Sequence, residues 1–235
     1  MIRLVIIKNK CGGEPSLPAY ENLFIDPVSN EKMNRESICA YLALNCFYEK
    51  SFGCKLPKIR KNANGRPEFS QKSRYVSDFN LSHTENLCVL AILTDEGKIG
   101  VDAECEREIK SAERISERYL NNISCTNNSL HNQLVDFKIL FAEFDGISVK
   151  FSDTVELEEL VLKKEIILSS GEALTLSDGE DFFSRWTLLE ALVKADGLGF
   201  AAASAASDIE RRARSLTLSL KTDEGCYKIS LSHLV

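Results

Sequence analysis

Asp102 and Glu104 stand two residues apart in Ile99–Glu104 (IGVDAE), a stretch that reads as a β-strand. Alternate residues of a strand share a face, so both carboxylates project the same way. Their neighbours Ile99, Val101 and Ala103 are apolar, and two unpaired buried carboxylates are costly unless positive charge lies between them. A hard divalent cation such as Mg²⁺ meets that need through carboxylate oxygens. A strand end with solvated acids, continued by Glu106 and Glu108, meets it equally on these residues alone. A second group is FFSRWTLLEALVKADGLGF, residues 182–200. There Trp186, Leu189 and Val193 share one helical face, and Glu190 and Lys194 form an i, i+4 pair beside it. The pair is either a surface ion pair or a third carboxylate and a cation aimed at the same site. Gly197 and Gly199 allow a tight turn beyond the helix.

The third group is cationic. Lys55, Lys58, Arg60, Lys61 and Arg66 crowd a basic loop ending in Asn64-Gly65-Arg66-Pro67, and Asn80-Leu81-Ser82-His83-Thr84 follows it. Such a loop either meets several phosphates or is simply solvated. His83 alone would more often be a hydrogen-bonded structural histidine.

These residues need elements to hold them. Ile2–Lys8 reads as a buried strand, and Cys11 to about Asn30 as a Gly- and Pro-containing loop. Glu31–Lys50 places Ile38, Leu42 and Cys46 at helical spacing. Phe79–Leu93 gives two short strands broken at Ser82-His83-Thr84, the second (LCVLAIL) suited to a fully buried strand. Ser111–Leu120 looks helical, and Phe137–Phe151 carries Asp145-Gly146 between two β-rich runs, a hairpin signal. Ser184–Asp196 is a helix stopped by Gly197. Ser215–Leu220 and Cys226–Leu231 form a second hairpin. Strand, helix, strand, strand therefore occurs twice once Cys105–Asp181 is set aside. The expected fold class is α+β, with two similar half-domains, residues 1–97 and 98–235, and an insertion at about 121–164.

Composition sets the outer limits. The 235 residues include 29 Lys and Arg against 35 Asp and Glu, a net charge of −6, with 44% hydrophobic and 27% charged residues. That is a globular balance. The negative charge argues against general nucleic-acid binding. No apolar run approaches the roughly 18 residues of a membrane span, and Leu4–Ile7 is too short for a signal-peptide core. The eight cysteines form no CxxC pair, so they read as small buried thiols of a reducing cytoplasm.

The ordered series GRP, FNLSHT, IGVDAE and WTLLEALVKADGLGF resembles the 4′-phosphopantetheinyl transferase superfamily, in particular its longer, pseudo-dimeric members. Their pattern is a GKP-like turn, FN(I/L)SHS, G(I/V)D(I/V)E and W(S/T)xKE(A/S)xxKxxGxG. The resemblance runs from about Arg35 to Phe200. It implies transfer of the phosphopantetheine arm of coenzyme A to a serine of an apo carrier protein, releasing adenosine 3′,5′-bisphosphate. It implies Mg²⁺ held by Asp102, Glu104 and Glu190, with Glu190 also helping to deprotonate the serine and Lys194 assisting the departing phosphate. Coenzyme A contacts would come from Arg35, Arg66, Ser82, His83 and Lys194. A duplicated unit builds its site within one chain, so a monomer is expected.

This sequence departs from the pattern in three places. Leu189 stands where the family has lysine. The first helix lacks a later arginine, with Leu42–Leu44 in its place. The separation of Asp102 from Glu190 is about twice the usual one, while the tail after Phe200 is short. A catalytically weak relative that binds carriers or coenzyme A is the alternative; an unrelated Mg²⁺ phosphohydrolase leaves FNLSHT and the glycine turn unexplained. The inserted hairpin is expected to dock on the second half-domain, replacing strands that the short tail does not supply.

Overall fold

Leu4–Ile7 and Leu87–Leu93 are apolar at every position, and both lie in central strands because both of their faces are covered. A computed structural model describes residues 1–10, 22–25, 35–121, 123, 136–197, 199, 203 and 205–235. In it β1 (Ile2–Asn9) lies beside β5 (Leu87–Leu93). Ile2, Leu4, Ile6, Leu87, Val89, Ala91 and Leu93 point to one side, while Val5, Ile7, Cys88, Leu90 and Ile92 point to the other. Each fully buried Leu, Ile or Val among them contributes about 1.5–3 kcal/mol.

The first sheet has the order β4-β5-β1-β7-β8, with β4 at Asp78–Thr84, β7 at Phe137–Phe144 and β8 at Val149–Glu156. Helix α1 (Arg35–Phe52) covers its outer face with Ile38, Tyr41, Leu44, Phe47 and Tyr48. The second sheet has the order β6-β12-β11-β10-β9. These strands are Lys98–Cys105, Cys226–Leu234, Ala213–Lys221, Ala173–Leu176 and Glu165–Ile167. Its inner face packs on the first sheet through Ile99, Val101, Ala103, Leu216, Leu218, Leu220, Ile229 and Leu231. The fold is α+β. Among the described residues no helix is long and apolar enough to cross a membrane.

Shorter elements are the β2–β3 hairpin (Ile59–Lys61 and Pro67–Phe69), helix α2 (Ala112–Ile115) running into a π-helical turn at Ser116–Leu120, and α3 (Leu157–Lys163). Helix α4 (Phe182–Asp196) lies on the outer face of β6 and β12, and α5 (Ala206–Arg212) follows it. Helix α4 begins where Asp181 accepts the Ser184 N–H at 2.9 Å and ends at Gly197, whose φ of 79° is the left-handed conformation glycine tolerates.

Three expectations need correction. Strand β4 is not broken at Ser82–Thr84; it runs through them, and the chain turns at Glu85-Asn86, with Glu85 at φ 45°. The supposed basic loop folds as the β2–β3 hairpin, because Ile59 is apolar enough to bury and Arg60 pairs with Glu68 across the strands at 2.8 Å. The inserted hairpin forms around Asp145-Gly146, but it adds its strands to the first sheet and not to the second. β7 instead runs parallel to β1, from Ile2↔Phe137 to Asn9↔Phe144. β1 is apolar on both faces and has a free edge, which suits a central position; the second sheet's remaining edge is taken by β10 and β9, which were not foreseen. The described cysteines, Cys39, Cys46, Cys54, Cys88, Cys105 and Cys226, are free thiols, buried or half-buried.

Candidate active site

Two sheet edges meet at the site. β4 ends the first sheet and β6 begins the second, and the two are not joined by a backbone ladder. A buried N–H must nevertheless be satisfied. Alternate side chains of β4 do this: Asp78 Oδ2 accepts from Ile99 N–H at 2.8 Å, Asn80 Oδ1 from Val101 N–H at 3.0 Å, and Thr84 Oγ1 from Cys105 N–H at 3.3 Å. Ser82, the remaining member of that face, donates to Asp102 Oδ1 at 2.7 Å. This explains why DFNLSHT alternates polar with apolar although the strand is buried. The alternation was visible in the sequence; the neighbour that required it was not.

On β6 the apolar residues turn inward, so Gly100, Asp102 and Glu104 face α4. A Cβ on Gly100 would run into the carbonyl of Ala191 and come within 2.5 Å of the Ala195 nitrogen. Glycine here lets the helix lie directly on the strand. Hydroxyls fill the rest of that contact, with Thr187 Oγ1 and Thr217 Oγ1 each 2.8 Å from Ser230 Oγ.

The helix thus carries Glu190 and Lys194 over Asp102. Lys194 Nζ lies 2.6 Å from Asp102 Oδ1, 3.0 Å from Ser82 Oγ and 3.9 Å from Glu190 Oε2. Glu104 Oε2 accepts from Arg107 Nη1 at 2.8 Å. Asp102 is 3% exposed, and among the described residues its Oδ2 has no hydrogen-bond partner. The Glu190 carboxyl is pushed up to about 7, first by burial and then by the charge of Asp102, with Lys194 opposing and Glu104 adding to the rise. A carboxyl at that level can take up a proton near neutral pH.

A cleft of about 330 Å³ opens over this cluster, lined by the turn Asn64–Pro67, by Asn80 and Leu81, by Glu190, Val193 and Lys194, and by Gly197 and Gly199. No protein-family model matches the chain, and no curated protein matches it.

Of the expected residues, Asp102, Glu190, Lys194, Ser82 and Arg66 come together. Glu104 is on the same face of β6 but engaged with Arg107. His83 follows Ser82 on the opposite face of β4 and is not among the described residues lining the cleft. Arg35 begins α1; its side chain lies outside the described residues. Asp78, Asn80, Asn64 and Gly100 were not foreseen as site residues, although the alternation in DFNLSHT was a signal for the first two.

A divalent cation is a fair match to this donor set. Among the described residues the buried Asp102 Oδ2 has no donor, and Asp102 and Glu104 both raise the Glu190 carboxyl, a crowding of negative charge that a hard cation held by these oxygens would relieve. Among the described residues no three acidic, histidine or cysteine side chains are gathered closely enough to hold an ion as they stand. The reason is local: Lys194 sits between Asp102 and Glu190, and Arg107 draws Glu104 aside.

Proposed function

We propose that this chain is a phosphopantetheinyl transferase of the longer, pseudo-dimeric type, moving the phosphopantetheine arm of coenzyme A to a serine of an apo acyl or peptidyl carrier protein. The observation that carries this reading is the convergence of Asp102, Glu190 and Lys194 beneath a cleft bordered by the GRP turn and the FNLSHT strand. Four sequence motifs lying far apart in the chain thereby share one place. Two similar half-domains are supported by matching strand orders, β1-β5-β4 in the first sheet and β6-β12-β11 in the second. The free thiols support a cytoplasmic setting, and a site built within one chain supports a monomer.

The reaction is a displacement at phosphorus. The carrier serine oxygen forms a bond to the phosphate bearing pantetheine, and the bond to the departing adenosine 3′,5′-bisphosphate breaks. Glu190, which lines the cleft, accepts the serine proton. Lys194 offers its ammonium to the phosphate oxygens as charge accumulates. Mg²⁺ held by Asp102, Glu104 and Glu190 would neutralise the pyrophosphate. Val193 and Leu81 supply an apolar wall for the ligand.

Incubation with coenzyme A, Mg²⁺ and a panel of apo carriers, followed by intact-mass measurement, tests the reading. A carrier heavier by one phosphopantetheine is expected. Coenzyme A binding without any mass gain would point instead to a binding relative, and neither binding nor transfer would overturn the assignment.

A further inference from the structure

Arg66 stands where the resembled pattern has a lysine for coenzyme A phosphate, yet its guanidinium is turned into the protein. The side chain is 11% exposed, and Nη2 donates to Asp78 Oδ2 at 2.6 Å and to the Ile99 carbonyl at 2.8 Å. Nη1 donates to the carbonyl of Lys194. That carbonyl is in the last turn of α4, where helix oxygens lack intrahelical partners, and a cation there also opposes the helix dipole. The same turn grips the helix a second time, as Asn64 Nδ2 donates to the Gly197 carbonyl at 2.9 Å. Arg66 is itself fixed, its N–H donating to Asn62 Oδ1 at 3.0 Å.

Asp78 has no part in the chemistry proposed above, and it is 5% exposed at its side chain. It joins three elements at once, accepting from β6 through the Ile99 N–H and from the hairpin through Arg66, while belonging to β4. Lys98 Nζ is at 4.0 Å from its other oxygen. A planar guanidinium can reach acceptors in several directions together, which an ammonium on a flexible stem does not reproduce.

Resting on the transferase reading, we infer that Arg66 and Asp78 form a positioning clamp that fixes α4 against β6, and that Arg66 is not a coenzyme A phosphate ligand. Lys194 is held at both ends, its carbonyl by Arg66 and its ammonium by Asp102, and Glu190 sits one helical turn earlier. Releasing the clamp lets both side chains drift from Asp102. Displacements of about 1 Å cost on the order of 10²-fold in rate when reacting groups must be aligned.

The test compares R66K, D78N and the double variant R66K/D78N with the wild type, measuring kcat, KM for coenzyme A and melting temperature. The clamp predicts that R66K and D78N each lower kcat about tenfold or more, leave KM within about threefold, and lower the melting temperature. It also predicts that the double variant is little worse than either single one, since the two residues act as a unit. A phosphate ligand predicts the reverse: R66K keeps most activity, and D78N frees the cation and lowers KM at an unchanged melting temperature. Either of those results overturns the inference. If the wild type shows no transfer at all, the transferase reading fails alone, and the melting temperatures still decide: non-additive losses uphold the clamp, additive or absent losses remove it.

Discussion

Lys194 Nζ lies 2.6 Å from Asp102 Oδ1, joining the last turn of α4 to the middle of β6. The ammonium is an internal counter-ion to Asp102, with Glu190 Oε2 at 3.9 Å, two of the residues that would hold the proposed divalent cation. Replacing it with a neutral side chain of similar length removes the competitor. Lys194→Met is expected to bind Mg²⁺ about tenfold more tightly in the absence of coenzyme A, a difference of about 1.4 kcal/mol, while turning over more slowly. Isothermal titration with MgCl₂ alone reads the first effect. Unchanged or weaker Mg²⁺ binding would count against that competition.

Among the described residues, Asp102 Oδ2 is a buried carboxylate oxygen without a partner. Asp102→Ala should lower turnover by about 10²-fold or more, the scale of a lost electrostatic contact at a reacting centre. It should also abolish any rise of melting temperature with added Mg²⁺. Wild-type activity at limiting Mg²⁺ would refute the metal assignment.

Gly100 is required for packing, not for backbone conformation. Gly100→Ala forces a methyl group into the Ala191 and Ala195 backbone, so α4 must lift from β6. A loss of about 1–3 kcal/mol in urea unfolding is expected, with activity falling further than stability because Glu190 and Lys194 ride on the same helix.

His233 should make stability depend on pH. Burial holds its imidazole below the usual 6.5; the Glu96 carbonyl contact favours the cation but only partly offsets that burial, and among the described residues Nδ1 has no partner. The folded state therefore binds its proton less readily than the unfolded chain. Its contribution is intact above the unfolded value of about 6.5 and is lost as pH falls through that value toward the lower folded one. Unfolding free energies measured from about pH 8 to about pH 5 should decline more steeply for the wild type than for His233→Gln. Parallel curves would exclude His233 as the source.

The β7–β8 hairpin should be structural. Ile139 is fully buried between the sheets and registers with Leu4, whereas Ile147 at the hairpin tip is 81% exposed. Ile139→Ala is expected to cost about 2–5 kcal/mol and Ile147→Ala less than about 0.5 kcal/mol, both read from denaturant midpoints. Equal, small effects would make the hairpin a peripheral excursion.

Local chemistry alone determined several features. The apolar runs of β1 and β5 could only be strands buried on both faces, Asp181 and Gly197 bound a helix by capping, and Asp145-Gly146 turned a hairpin. Alternation likewise placed Asp102 and Glu104 on one face, and helical spacing put Glu190 beside Lys194. Each of these depends on residues close in sequence. Other features depended on which edges met. The partner of β7 was decided by the open edge of β1, some 130 residues away, because a hairpin's own pattern states that it needs a neighbour but not which one. The polar face of β4 acquired its purpose only when β6 arrived without a backbone ladder. Arg66 was expected at a phosphate, and in the fold its guanidinium has protein acceptors in Asp78 and the end of α4. Helical spacing left Glu190 and Lys194 either a surface pair or groups aimed at a site, and the close approach that Gly100 permits set Lys194 on Asp102. In each case a short-range pattern fixed what a side chain could offer, and a long-range contact fixed what it was offered to.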